Sequence, residues 1–508
     1  MMGSRRIGLA LALAACVAGC QKEDTAKPQA AATQAIAWRH GDVTDALAEA
    51  KEGGKPVFLY WGAKWCPPCN QMKSTLFKDA AFIERTRGFV PVYLDGDSPG
   101  AQRWGERFGI SGYPTVILLR PDGEEITRLS AASAPTRLAD VLRVAAGRSI
   151  STEALLEKAQ GDPKALSKDD WQLLADYDWQ NDPRHFSDSA RAVTLLDRLA
   201  GTAPDPALQH RFALLALVIG AEEKDDKVQL TAAQQAKTAE LLPAILANPA
   251  EVTANRQELS YAAAPLILAL PDAATRAKLG GELVGALDRV YADKALPIPD
   301  RLGTGFADIA LADGKVPPAL LTKVRERAAW ADSTAKDAMV RQSAISTAAD
   351  LLHEAGDTAG AKQLLEAELK RSASPYYYML GLSRIAEDEK DGKAAVEWAR
   401  KAYEGSEGPA TRVQWAIEYS KAVLRLTPGD KQAVERSASA VIDELGKNGD
   451  GYYQRTRTKV AAWGKLLRSW SEKHGESAVL GRFEARMADV CARQGEGAAS
   501  CRNWAQAG

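Results

Sequence analysis

The chain has almost no net charge. Its 65 Lys and Arg are set against 66 Asp and Glu, a formal charge of −1, so nothing in the balance points to nucleic acid or an anionic membrane surface as a partner. Cysteine is scarce, six in 508 residues. The five histidines, His40, His185, His210, His353 and His474, are scattered, and neither a second Cys-x-x-Cys nor a nearby histidine pair completes a zinc site. The sequence also lacks a phosphate-cradling glycine loop, a nucleophile elbow and a convincing pair of carboxylates. No metal and no cofactor is expected.

The N-terminal apolar run IGLALALAACVAG follows Arg5 and Arg6. It is too short for a permanent bilayer anchor but suits the core of an export signal. It ends in Val17-Ala18-Gly19-Cys20, which resembles the lipobox of bacterial lipoproteins; the resemblance implies that Cys20 carries lipid and that the residues before it are removed. An ordinary secretory signal cleaved near small residues is the alternative. Gln21 stands where an aspartate would, by the same resemblance, favour retention at the inner membrane, so the expectation is a protein on the outer membrane facing the periplasm. Residues 21–35 are polar and Ala-rich without an apolar face, and read as a tether. With Cys16 cut away, four thiols remain in two sequence-local pairs, Cys66/Cys69 and Cys491/Cys501. An oxidising compartment would let each pair close on itself.

The chain is too long for one core, so several domains are expected. Residues 36–148 alternate between strand and helix signals. VTDALAEAKE reads as a helix stopped by Gly53-Gly54, and KPVFLYWGA, FVPVYLD and PTVILLR read as strands. Asp122-Gly123 marks the tip of a hairpin to EITRLS, and APTRLADVLRVAAG closes the unit as a helix. Beyond residue 148 long Ala/Leu-rich segments with helical spacing take over. Asp357 and Asp391, Ala361 and Ala395, and Pro375 and Pro409 recur 34 residues apart, a period that resembles tetratricopeptide repeats. The expected organisation is a signal (1–20), a tether (21–35), an α/β domain (36–148), a helical region (149–340) and a repeat-like helical region (341–508). An irregular helical domain is the alternative to a solenoid. Tyr376, Tyr377, Tyr378, Trp398 and Trp415 read as core of these helices.

Trp65-Cys66-Pro67-Pro68-Cys69 follows a buried-strand candidate and opens a helix; Tyr113-Pro114-Thr115 and the Pro121-Asp122-Gly123-Glu124 hairpin lie downstream. Together these resemble the thioredoxin superfamily over roughly 110 residues, and Trp38 to Pro56 looks most like the exported subgroup related to the C-terminal domain of the DsbD reductase. The fold class is therefore expected to be a thioredoxin-like α/β domain followed by a large all-α region. The resemblance implies thiol-disulfide exchange with protein thiols and disulfides. Cys66 would be the exposed nucleophile and Cys69 the resolving thiol; Pro114 would be the cis-proline shaping the groove, flanked by Trp65 and Tyr113. An N-cap position for Cys66 would place its sulfur where free backbone N–H groups and the helix dipole stabilise a thiolate.

Two departures qualify the resemblance. Tyr60 stands six residues before Cys66, where the family often has a buried aspartate that takes the proton of the resolving thiol, and a phenol is a poor base at neutral pH. Two prolines follow Cys66, so only the Cys69 amide and those beyond it can donate to the Cys66 sulfur, leaving a thiolate less stabilised than in strongly oxidising members; Lys64 nearby offsets part of that. A permanently closed bridge, a metal site and an inert binding fold remain alternatives for the pair. Cys491 and Cys501 close a Gly/Ala-rich turn without a nucleophile signature, and a structural bridge there contributes about 3 kcal/mol in the chain-entropy model. The overall expectation is an envelope oxidoreductase whose helical region binds partners, recharged by a membrane electron donor. The alternative is a lipoprotein scaffold with a redox-inert domain.

Overall fold

Strand β2 (Val57–Gly62) is buried along its whole length, and its side chains alternate between two cores. Phe58 and Tyr60 face one; Val57, Leu59 and Trp61 face the other. This is the behaviour expected of a continuous apolar run inside a sheet covered on both sides. The computed structural model describes residues 35–129, 135–148, 150–449 and 451–504, without the side chains of 135–137, 454 and 496. Cys16, Cys20 and residues 21–34 lie outside the described residues. Among the described residues no helix is long and apolar enough to cross a membrane.

The sheet has the order β1-β3-β2-β4-β5, from β1 (Arg39–His40), β3 (Val90–Asp95), β4 (Thr115–Leu119) and β5 (Glu125–Leu129) around β2. β1, β3 and β2 run parallel, and β4 and β5 are antiparallel. In register, Leu59 pairs with Val92 on one side and Ile117 on the other. Helices α1 (Val43–Gly53) and α4 (Ala101–Phe108) cover one face. Helices α2 (Pro67–Ser74), α3 (Ala80–Thr86) and α5 (Pro135–Ala145) cover the other. α1 starts on Asp42, whose side chain accepts from the Thr44 amide, and stops at Gly54 in the left-handed region. The helix that the cysteine motif opens ends at Ser74, and a 3₁₀ turn, Leu76–Lys78, follows it.

Packing does not respect the boundary expected at residue 148. One hydrophobic cluster runs from Ile36 through Phe58 and Leu142 to Trp171, Leu199 and Phe212. The edge strand β5 is extended by Tyr177, which bridges to Leu129, and by the Asp178 amide donating to the Arg128 carbonyl at 3.1 Å. Arg128, fully buried, donates to Glu125, to the Phe108 carbonyl at 2.7 Å and to the Asn181 carbonyl at 3.2 Å. A short hairpin unforeseen in the sequence, Glu222–Lys224 with Lys227–Gln229, turns on Asp225 and Asp226, both at positive φ, the conformation that two-residue hairpin loops require.

The 34-residue recurrence is a recurrence of helix starts. Helices Thr358–Glu368 and Gly392–Gly405 begin on the caps Asp357 and Asp391, and helices Pro375–Asp388 and Pro409–Leu426 begin on prolines. Ala361 and Ala395 are fully buried, small enough for close helix contact. Upstream, the helices between 232 and 334 vary from 6 to 20 residues and share no period. The C-terminal end packs around Trp463 stacked on Trp504, and a disulfide joins Cys491 to Cys501.

Candidate active site

Cys66 is the N-cap of α2, with an extended backbone (φ −75°, ψ 115°), and Pro67 holds the first helical position. A residue before proline is pushed out of the helical region, and proline suits the first turn because its missing N–H would have no partner there. The Cys69 amide donates to Cys66 Sγ at 3.3 Å, the first amide the two prolines leave available. Cys66 and Cys69 are disulfide-bonded. The Tyr113-Pro114 peptide is cis, and Trp65 meets the edge of Tyr113 at 6.0 Å.

The expectation of an exposed nucleophile needs correction: Cys66 is only 2% exposed and Cys69 is fully buried. The helical region packs on the residues around them. The Gln342 carboxamide donates to the Trp65 carbonyl and accepts from Asn70 Nδ2, both at 2.6 Å. Gln71 donates to Asp300 at 2.8 Å, and Asp300 in turn holds Arg256. The Trp65 indole N–H donates to Thr411 Oγ1 at 2.8 Å, and Thr411 donates to Asp97 through both its amide (2.8 Å) and its hydroxyl (2.6 Å). Burial pushes the Asp97 carboxyl above the usual range, against the pull of these two hydrogen bonds. Gly408 makes this contact fit, because a Cβ there would lie 2.3 Å from the Asp97 carboxyl carbon and its φ is +91°.

The aromatic surface expected to receive a substrate is likewise occupied. Trp65 stacks on Tyr377 at 6.2 Å and meets the edge of Trp415 at 5.9 Å. The Arg455 guanidinium lies 4.4 Å above the Tyr113 ring. Tyr376, Tyr378 and Trp415 are buried as expected of core residues, yet Tyr377 and Trp415 also roof the redox turn. Gln342, Thr411 and Asp97 carried no sequence signal for this role.

Tyr60 is 1% exposed, its hydroxyl has no hydrogen-bond partner among the described residues, and burial pushes its pKa well above the usual phenol range. It stacks on Tyr93 at 5.3 Å, whose hydroxyl accepts from Lys73 at 3.0 Å and donates to Asp95 at 3.1 Å. Burial draws the Lys73 ammonium below its ordinary value. Lys64 is exposed at the rim of a cavity of about 1030 Å³ that Trp65, Lys73, Tyr93 and Gln342 also line. Among the described residues no cluster of three or more His, Cys, Asp or Glu side chains forms a metal cage.

A helix-capping cysteine bonded to a second cysteine one turn on, beside a cis-proline and over a mixed sheet, defines a thioredoxin-like thiol-disulfide oxidoreductase. The thioredoxin-like domain family model matches residues 43–146. Thioredoxin H4 of Arabidopsis thaliana is 30% identical over 103 residues, 20% of this chain and 81% of that protein, and the chain belongs to the thioredoxin family. Thiol:disulfide interchange protein DsbD 1 of Pseudomonas aeruginosa is 31% identical over 82 residues, 16% of this chain. The chain spans only 14% of that relative's length. A solution structure of a thioredoxin from Thermus thermophilus matches at 28% identity over 21% of this chain and 86% of that one, with a TM-score of 0.20.

Proposed function

We propose that the chain exchanges disulfides with protein partners at the bacterial cell envelope, anchored by lipid on Cys20 on the outer membrane facing the periplasm, with a membrane electron donor recharging Cys66 and Cys69. The observation that carries the exchange reading is the Cys66–Cys69 bond at the start of α2 beside Pro114. The export-like N-terminus ending at Cys20 supports the location. The tetratricopeptide-like recurrence of helix starts supports partner binding by the helical region.

The reaction balances without a cofactor. The Cys66 thiolate attacks a partner disulfide, one partner sulfur leaves as thiolate and takes a proton, and the Cys69 thiolate then displaces the second. The partner gains two electrons and the pair loses two.

The test is the reduction potential of the pair in the chain lacking residues 1–20, equilibrated in dithiothreitol or glutathione buffers. A value near or below that of thioredoxin, about −270 mV, makes the protein a reductant fed from the membrane; about −120 to −180 mV makes it an oxidant or isomerase. A pair that never exchanges with the buffer overturns the exchange reading and leaves the scaffold reading. Lipid labelling that survives Cys20→Ser would remove the anchor.

A further inference from the structure

Two clefts flank the redox turn, separated where helix Ala338–Glu354 crosses it. The larger, about 1030 Å³, is lined by Lys64, Trp65 and Asn70 on one wall and by Met339 and Gln342 of that helix on the other. The smaller, about 280 Å³, is lined by Pro67, Pro68 and Gln71, facing Ser343 and Thr347 of the same helix. Gln342, itself 7% exposed, bridges the turn from the Trp65 carbonyl to the Asn70 side chain. With Cys66 only 2% exposed, an exchange partner reaches its sulfur by parting contacts between the redox turn and the helical region, and the Gln342 bridge is one of them.

A glutamine side chain ends in a carboxamide, a donor and an acceptor held as in a backbone peptide group. Moving it away takes the donor from the part-buried Trp65 carbonyl and one acceptor from Asn70 Nδ2, which keeps its bond to the Lys64 carbonyl at 3.0 Å, and such losses are costly unless something replaces the bonds. A polypeptide supplies a peptide group to both; a small disulfide without amides supplies nothing. We propose that Gln342 is the specificity-determining residue of the exchange reaction, admitting disulfides carried on peptide backbone and holding back those without amide groups. This rests on exchange through Cys66.

The test uses the full chain lacking residues 1–20, reduced, and follows oxidation of Cys66 and Cys69 by two disulfides: a cysteine-bridged pair of short peptides, and bis(2-hydroxyethyl) disulfide. Each rate is divided by that of the same disulfide with free dithiothreitol, which removes intrinsic reactivity. The expected wild-type preference for the peptide is about tenfold, the worth of about one net hydrogen bond. Gln342→Ala is expected to bring the ratio to within about twofold, through a faster hydroxyethyl reaction. A wild-type ratio near one, or a ratio unchanged in Gln342→Ala, overturns the proposal. So does a fall of both rates together, the mark of a merely structural residue. The wild-type ratio decides even where the variant fails to fold. If neither disulfide reacts while dithiothreitol still reduces the pair, this inference alone fails; a pair inert to dithiothreitol as well takes the exchange reading with it.

Discussion

Pro68 withholds the N–H that would otherwise sit one residue nearer the Cys66 sulfur, and the only close amide contact the turn shows is from Cys69. A charge-assisted hydrogen bond to sulfur stabilises thiolate over thiol. Pro68→Ala keeps a residue suited to the first turn while adding that donor. The thiolate absorbance of reduced Cys66 is therefore expected to titrate about one pH unit lower in Pro68→Ala, about 1.4 kcal/mol of differential stabilisation. An unchanged titration would mean that the added N–H does not reach the sulfur. At this scale the sequence was legible wherever chemistry is local: the spacing of Cys66 and Cys69, the two prolines between, and Pro114 all announce themselves within a few residues. The residues that close over the turn do not. Gln342 meets Asn70 across 272 positions and Thr411 meets Asp97 across 314, and an isolated Gln or Thr on a helix face carries no sign of what it will touch.

Helix starts were the most legible elements, because caps and first-turn prolines have their own chemistry. The 34-residue recurrence picked out Asp357 and Asp391 without revealing that these were caps. Helix Lys168–Ala175 has a fuller device, a capping box in which Ser167 and Asp170 satisfy each other's backbone amides. Asp170 also takes Arg148 and Lys158, tying the segment after α5 to the next helices. Burial alone would raise its pKa, yet the Ser167 amide, Arg148 and Lys158 together hold it at about 2. The folded value lies below the unfolded one of about 3.9, so the stabilisation is complete above about pH 4 and is lost as pH falls towards 2. Asp170→Asn is expected to lower stability at pH 7 by about 1–3 kcal/mol in urea unfolding. The gap to wild type should close as the pH approaches 2, where the native carboxyl is itself protonated. A gap constant across that range would assign the loss to packing instead.

The change from strand to helix signals near residue 148 marks a change of element type, and one hydrophobic cluster continues across it. α5 packs on helix Lys168–Ala175, and β5 packs on helix Thr152–Gly161. Arg128 spends its buried guanidinium partly on the Asn181 carbonyl and lies 3.6 Å from Asp182. A fragment ending at 148 would leave Arg128 without these partners and expose the apolar surfaces that Leu155, Trp171 and Tyr177 cover. Losing partners of a buried charge and uncovering apolar area both destabilise. Two fragments differ on this point: residues 36–148 and residues 36–220, the second carrying the helices that complete the cluster. The longer is expected to unfold cooperatively, with a thermal midpoint about 10 °C or more above the shorter, since one kcal/mol moves a domain of this size by several degrees. Thermal unfolding followed by circular dichroism reads the difference directly. Equal midpoints would show that the thioredoxin-like sheet stands on its own, and that the helices from 152 to 220 lean on it without sharing its stability.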